Sequence, residues 1–258
     1  MKTSVNLSPW VLRMVASVSL LVLIDQFSYG QATSGYIRFE ERTDVFKMLS
    51  KEMLVRYQDQ IEQYSSITYR LYFNPSESFY KNYFDDRSIA APINGNRMRL
   101  MMNQPSDKNY YYTSNDMMIT QLEALGKVYY MSDSIKFHAW KFGSGVRTIL
   151  GYECHMAYYT DTSNPDKPIE VTAWYTSQIR PFIGPERFNT LPGGILALDF
   201  NNGERYWVAR SIELRDLKPE EKITLPETKK NTKKCSYDEY LADLNENIKK
   251  QKAMYGGR

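Results

Sequence analysis

Short runs in which Tyr, Phe, Ile, Val and Thr alternate with polar residues recur along this chain, bounded by turn residues. A period of two places every second side chain on one face of an extended strand, so each run buries one face and leaves the other wet. A chain made of many such runs folds as a β protein. Tyr36 to Glu40 alternates with Ile37 and Phe39 inward, and Thr68 to Phe73 with Tyr69, Leu71 and Phe73. Further strands are expected at Tyr110 to Thr113, Lys127 to Met131, Phe137 to Phe142, Arg147 to Ile149, Tyr152 to Tyr159, Ile169 to Thr176, Ile195 to Phe200 and Glu204 to Leu214, after a polar stretch over residues 85 to 109. Gly143-Ser144-Gly145 and Asn164-Pro165-Asp166 read as tight turns, and Asn201-Asn202-Gly203 as a hairpin loop, because Asn-Gly accepts positive φ. Consecutive short links favour an antiparallel meander.

Two helices are expected beside the sheet. Phe46, Leu49, Met53, Tyr57, Ile61 and Tyr64 recur at spacings of three and four, which predicts an amphipathic helix over residues 44–64 whose stripe packs on the sheet. Ser236 and Glu239 have the spacing of a capping box, and Tyr237, Tyr240, Leu241, Leu244 and Ile248 form the stripe of a C-terminal helix. Composition supports a folded chain: of 258 residues, 42% are hydrophobic and 24% charged.

The N-terminus reads as a signal peptide over residues 1–30. Lys2 and Arg13 precede Met14 to Ile24, an uncharged run of eleven residues, shorter than the roughly 20 needed to span a bilayer. Ser28 and Gly30 supply the small residues at −3 and −1, so cleavage is expected after Gly30. No Cys stands near that point to carry a lipid, and no transmembrane segment is expected in the remainder. Residues 31–225 then form the antiparallel β domain, and 226–258 a Lys-rich linker and the C-terminal helix.

Removing Lys2, Arg13 and Asp25 takes the net charge from +3 to +2, a balance that selects no particular partner. Lys229, Lys230, Lys233 and Lys234 form a basic cluster without interleaved aromatics, which reads as solvated linker and argues against nucleic acid. Cys154 and Cys235 leave two alternatives in an oxidising compartment: one disulfide closing about eighty residues, or a free Cys154 buried on the face that alternation assigns to Tyr152, Cys154 and Met156.

Catalytic material is sparse. Cys154 and His155 are neighbours on a strand and point to opposite faces, so they form no nucleophile and base pair. His138 and His155 could still meet Glu153 or Glu170 across strands, which keeps an envelope hydrolase as the alternative reading. No metal, phosphate-loop or nucleophile-elbow motif is present, and no cofactor is expected.

The most distinctive segment runs from Pro181 to Gly194, joining two strands. A connection of this length without periodicity is uncommon and is often functional when ordered. Phe182 and Phe188 are placed to anchor it, and Pro192-Gly193 suits the centre of a type II turn. Either it closes one end of the sheet or it touches a ligand.

Four ordered blocks now carry a resemblance: Gly151-Tyr152-Glu153-Cys154-His155-Met156-Ala157, Thr172-Ala173-Trp174-Tyr175-Thr176, Gly184-Pro185-Glu186-Arg187-Phe188 and Leu191-Pro192-Gly193-Gly194-Ile195-Leu196. They are similar to the successive blocks of the GLPGLI family of exported envelope proteins. In the name-giving motif, Thr190 replaces the first glycine and Gly194 the second leucine. The resemblance implies a mainly β (α+β) fold, a curved antiparallel sheet or half-barrel of the lipoprotein-carrier type. It implies no assigned activity, and a location in the periplasm or at the periplasmic face of the outer membrane. With twenty-one tyrosines to offer apolar area with a polar handle, the expectation is non-catalytic binding of an apolar ligand or an outer-membrane protein partner. Its surface is expected to involve Trp174, Tyr175, Phe182, Phe188, Leu191, Pro192, Gly193 and Trp207. A structural accessory of an outer-membrane transporter is the third reading.

Overall fold

The structure, a computed structural model, describes residues 31–83, 108–113, 116–124, 126–162, 168–228 and 231–255. The expected leader at 1–30, residues 85–107 of the polar stretch and the Asn164-Pro165-Asp166 turn lie outside the described residues.

Among the described residues the alternating runs form one sheet of twelve strands: β1 (Gly35–Asp44), β2 (Tyr64–Phe73), β3 (Glu77–Asn82), β4 (Lys108–Thr113), β5 (Met117–Ala124), β6 (Lys127–Ser134), β7 (Lys141–Ile149), β8 (Tyr152–Asp161), β9 (Ile169–Thr176), β10 (Gly194–Phe200), β11 (Arg205–Glu213) and β12 (Thr232–Cys235). Their order is β12-β6-β5-β4-β3-β2-β1-β11-β10-β9-β8-β7, so the meander is interrupted where β1 pairs with β11. The sheet is curved and unclosed. Among the described residues its neighbouring strands run antiparallel, except that β12 joins β6 in parallel.

Three strands escape a reading by periodicity. β3 is short, β5 (MMITQLEA) is rich in helix-favouring residues, and β12 lies in the Lys-rich linker. Each is held in the sheet by its neighbour rather than by propensity. Conversely, residues 137–140 form a connection, and Gly143-Ser144-Gly145 is no turn. These residues lie inside β7, where the register with β8 shifts between Phe142 and Val146. The glycines serve packing: a Cβ on Gly143 would meet Met156 Cε at 2.2 Å, and one on Gly145 the Trp174 ring at 3.1 Å. The Asn201-Asn202-Gly203 turn has φ of 50°, 52° and 88°, as the hairpin reading requires.

The helix expected over 44–64 is broken. Its pieces are α1 (Val45–Met48), α2 (Lys51–Tyr57) and a 3-10 turn at Gln58–Gln60. Asp44 Oδ1 accepts the N–H groups of Phe46 and Lys47 at 3.1 and 3.3 Å. Leu49 then turns extended, and Ser50 Oγ accepts the Met53 N–H at 3.3 Å to start the second piece. Two side chains able to cap a helix within six residues break one stripe into two. No α2 residue is buried, so this segment does not cover the sheet.

Other segments do. Ile179, Ile183 and Leu191, in the connection from β9 to β10, are buried in the main core with Ile37, Phe39, Tyr69, Leu71 and Trp207. The C-terminal helix, α3 (Tyr237–Tyr255), starts as expected: the Glu239 N–H donates to Ser236 Oγ at 3.2 Å, and the Ser236 N–H to Glu239 Oε2 at 2.7 Å. Tyr240, with Leu241 and Leu244, packs on Leu122, Tyr129 and Met131 of β5 and β6. These residues share the inner face of the sheet with Tyr110 and Met118. The outer face carries a second cluster of Tyr36, Tyr72, Phe79 and Tyr111, capped by Leu217 and Ile223. Residues 32–225 and the described part of the tail thus belong to one compact unit, in which the linker supplies a strand.

The disulfide is not formed: Cys154 is a buried free thiol and Cys235 a half-buried one. Cys154 lies in β8 and Cys235 in β12, ten places apart in the strand order. Strands are spaced about 4.8 Å apart, while bridged Cα atoms lie within about 7 Å.

Both free edges are blunted against further strand addition. β12 has only four residues, with Lys233 and Lys234, while β7 has Lys141, Arg147 and its irregular register.

Candidate functional site

The inner face can be followed residue by residue along one row of strand partners: Glu41 of β1, Trp207 of β11, Leu198 of β10, Ala173 of β9, Ala157 of β8 and Phe142 of β7. Glu41 sits at a core position because β1 alternates Ile37, Phe39, Glu41 and Thr43 inward. A carboxylate there needs partners. Lys108 Nζ lies 3.6 Å and Arg205 Nε 3.2 Å from its oxygens. The same two cations meet Glu186 at 2.8 and 3.5 Å, so two acids and two bases alternate in a closed ring.

Glu186 comes from the long connection, which folds over the ring. Arg187 Nη1 donates to Thr120 Oγ1 at 3.2 Å, and its guanidinium lies 4.0 Å over the Tyr237 ring of α3. Phe188 stacks on His138 at 5.1 Å and meets Phe200 edge-on at 5.1 Å. Gly184 and Gly193 allow the close approach: added Cβ atoms would lie 1.9 Å from the Phe188 carbonyl oxygen and 2.1 Å from that of Thr176. Gly193 does not have positive φ, so the type II turn is not formed; Phe182 (φ 61°) and Glu186 (φ 53°) take the left-handed positions instead.

Desolvation alone would push the Glu41 carboxyl up, but Lys108 and Arg205 outweigh it and hold the group below the usual carboxylate range. Burial raises the phenols of Tyr69 and Tyr80 well above their ordinary value, with the charges of Glu41 and Glu186 adding to it.

The eight aromatic and loop residues singled out from sequence do not form one surface. Trp207 and Leu191 are core residues. Trp174 and Tyr175 are strand neighbours on opposite faces: Arg147 lies 4.2 Å over the Trp174 ring, whereas Tyr175 faces Phe142 and His155 at 6.1 Å each. Phe182 stacks on Tyr112 at 5.4 Å, Phe188 is half-buried in the cover, Pro192 is exposed and Gly193 is buried.

The imidazoles are no pair either. His138 is sandwiched between Tyr159 and Phe188, and burial lowers its pKa. His155 lies 3.5 Å from Glu153 on the surface. Among the described residues, no group of three or more His, Cys, Asp and Glu is arranged to hold a metal ion.

Where the row runs out from under the cover, at β7 to β9, the inner face is open. Phe142 is 63% and Val146 55% exposed, and strand pairing and ring contacts join them to His155 and Tyr175. A separate cavity of about 440 Å3 lies beside the outer cluster, lined by Asn74, Glu77, Leu217, Lys218 and Ile223 among others. Sequence reading missed Phe142 and Val146 because the bulge hides their phase. It also missed the ring, although Glu41, Lys108 and Arg205 all fall in step with buried aromatics.

No protein-family model matches the chain, and no curated protein matches it in sequence. Two crystal structures of PNGF-II, in space groups P21 and C2, are similar to it, with TM-scores of 0.50 and 0.48 at 14% and 16% identity. Each covers 82% of this chain, which spans about a third of PNGF-II (33% and 32%). At that identity the first of these likenesses shows a shared fold and nothing finer.

Proposed function

We propose that this chain is an exported envelope protein, similar to the GLPGLI family, that binds rather than transforms its target. It docks an apolar group of a membrane-protein partner on the open β7–β9 end of the inner face. The observation that carries this reading is the exposed pair Phe142 and Val146, flanked by half-buried His155 and Tyr175, at the end of the inner face that loop and helix do not cover. Exposed apolar residues that adjoin one another mark interaction sites. Export rests on residues 1–30, and the family resemblance on the four blocks between Gly151 and Leu196. The interior favours binding over chemistry, since its acids and bases are paired with one another and its imidazoles are held apart.

The test is affinity capture from envelope extract, with proteins and lipids identified by mass spectrometry, using wild type and the double variant Phe142→Ser/Val146→Ser. Burying both side chains in an interface is worth about 1.5–3 kcal/mol each, so capture should fall more than tenfold, with the melting temperature within about 2 °C of wild type. Equal capture by the two proteins overturns the assignment.

A further inference from the structure

We infer that the Lys108–Arg205 pair is a carboxylate-binding site in which the Glu186 side chain acts as a built-in, displaceable ligand. Four observations lead there. First, Glu186 arrives on the covering loop, not on the sheet: its carboxylate oxygens reach Lys108 at 2.8 Å and Arg205 at 3.5 Å, while Glu41 of β1 backs the same two cations. With Glu186 withdrawn, two cations face one acid, and the site has a net positive charge in a low-dielectric interior, where attraction for an anion is strongest.

Second, the loop is strained where it delivers the acid. Glu186 has φ 53° and Phe182 φ 61°, a region that side chains other than glycine rarely take and that costs of order 1–3 kcal/mol. Third, two polar atoms beside the site are unpartnered. The Tyr80 hydroxyl and the indole Nε1 of Trp207 are buried without a hydrogen-bond acceptor, and the Tyr69 hydroxyl faces the Glu41 carboxylate. The Tyr69 and Tyr80 rings stack at 4.8 Å, and Lys108 Nζ lies 5.9 Å over the Tyr69 ring, which sets both phenols beside the site. Buried donors are rarely left unpaired in a purely structural core, and a ligand with acceptor oxygens is the chemistry that suits them. Fourth, Arg205 is partly open to solvent: its side chain is 27% exposed, against 1% for Glu41, although its Nε is buried. This site is separate from the β7 patch and does not depend on it.

The experiment uses sodium acetate as the probe, with sodium chloride at equal ionic strength as the control. In the purified wild-type protein, titration is followed at the Arg205 Nε–H resonance. In Glu186→Ala and the nearly isosteric Glu186→Gln, binding is followed by melting temperature and calorimetry. The tethered carboxylate competes at high effective concentration, so acetate should bind the Glu186 variants at least tenfold more tightly than wild type. It should also raise their melting temperature by several degrees beyond the chloride control. That rise should vanish in Glu186→Gln/Lys108→Met. The assignment is overturned if acetate moves neither the Arg205 resonance of wild type nor the melting temperature of Glu186→Gln beyond chloride, or if the effect survives loss of Lys108.

Discussion

Replacing Lys108 by Met is the most informative perturbation of the interior. The side chain is 6% exposed and touches both acids of the ring, so the substitution strands Glu41 and Glu186 with Arg205 alone. Removing one partner of a buried ion pair costs about 3–5 kcal/mol, because the remaining charge keeps its desolvation penalty. For a folded unit of this size each kcal/mol moves the melting temperature by about 2–4 °C, which puts the expected loss near 10 °C. Thermal unfolding measures the shift and urea unfolding the free energy, both followed by tryptophan fluorescence, with Trp207 4.5 Å from the Arg205 guanidinium as an internal reporter. The double variant Glu41→Gln/Lys108→Met removes one charge of each sign and should lose less than Lys108→Met alone, giving a coupling of 1 kcal/mol or more, on the order expected for contacting residues. The sign of the pH dependence follows from Glu41. A carboxyl lowered by folding contributes stability that is complete above its unfolded value of 4.5 and is lost as pH falls through the lower folded value. The gap between wild type and Lys108→Met should therefore narrow below pH 4.5. A cost under about 1 kcal/mol, strict additivity in the double variant, or a gap that widens in acid would refute the reasoning.

Two further outcomes test the cover and the thiols. Gly184→Ala drives a Cβ to 1.9 Å from the Phe188 carbonyl oxygen, a backbone atom, whereas Gly143→Ala meets only the flexible end of Met156. Thermal unfolding should show a loss above about 2 kcal/mol for the first and below about 1 kcal/mol for the second, and equal losses would contradict the packing described. Burial pushes the Cys154 thiol up to about 11 and raises Cys235 less. A thiol reagent at pH 8 should therefore modify Cys235 in the native protein and Cys154 only on unfolding; a mass two daltons short of the dithiol form would show a disulfide instead.

The β class, the hairpin at Asn201 and the capped C-terminal helix were legible because each depends on neighbours in sequence. What was not legible depends on partners far along the chain. β5 is a strand because β4 and β6 flank it, despite Met, Leu and Glu. The helix over 44–64 failed because a stripe says nothing about Ser50, whose hydroxyl caps a new start. Among the site residues, Glu41 was readable in principle, as a charge in phase with Ile37 and Phe39. Glu186 was not: its place in the ring is set by a loop that crosses from β9 to β10, and no period encodes it. Trp174 and Tyr175 could have been separated from sequence, since the alternation that divides Cys154 from His155 divides them too.

The pairing of β1 with β11 governs how this molecule comes into being. Tyr36 meets Glu213 and Thr43 meets Arg205, so the first strand, already paired with β2 on one side, waits for its second partner more than 160 residues downstream. Contacts between such distant segments are made late and slowly, because a long loop must close before any of them is rewarded. A nascent chain that has not yet yielded residue 205 can build hairpins but cannot join its two halves, and it stays threadable until nearly all of it exists.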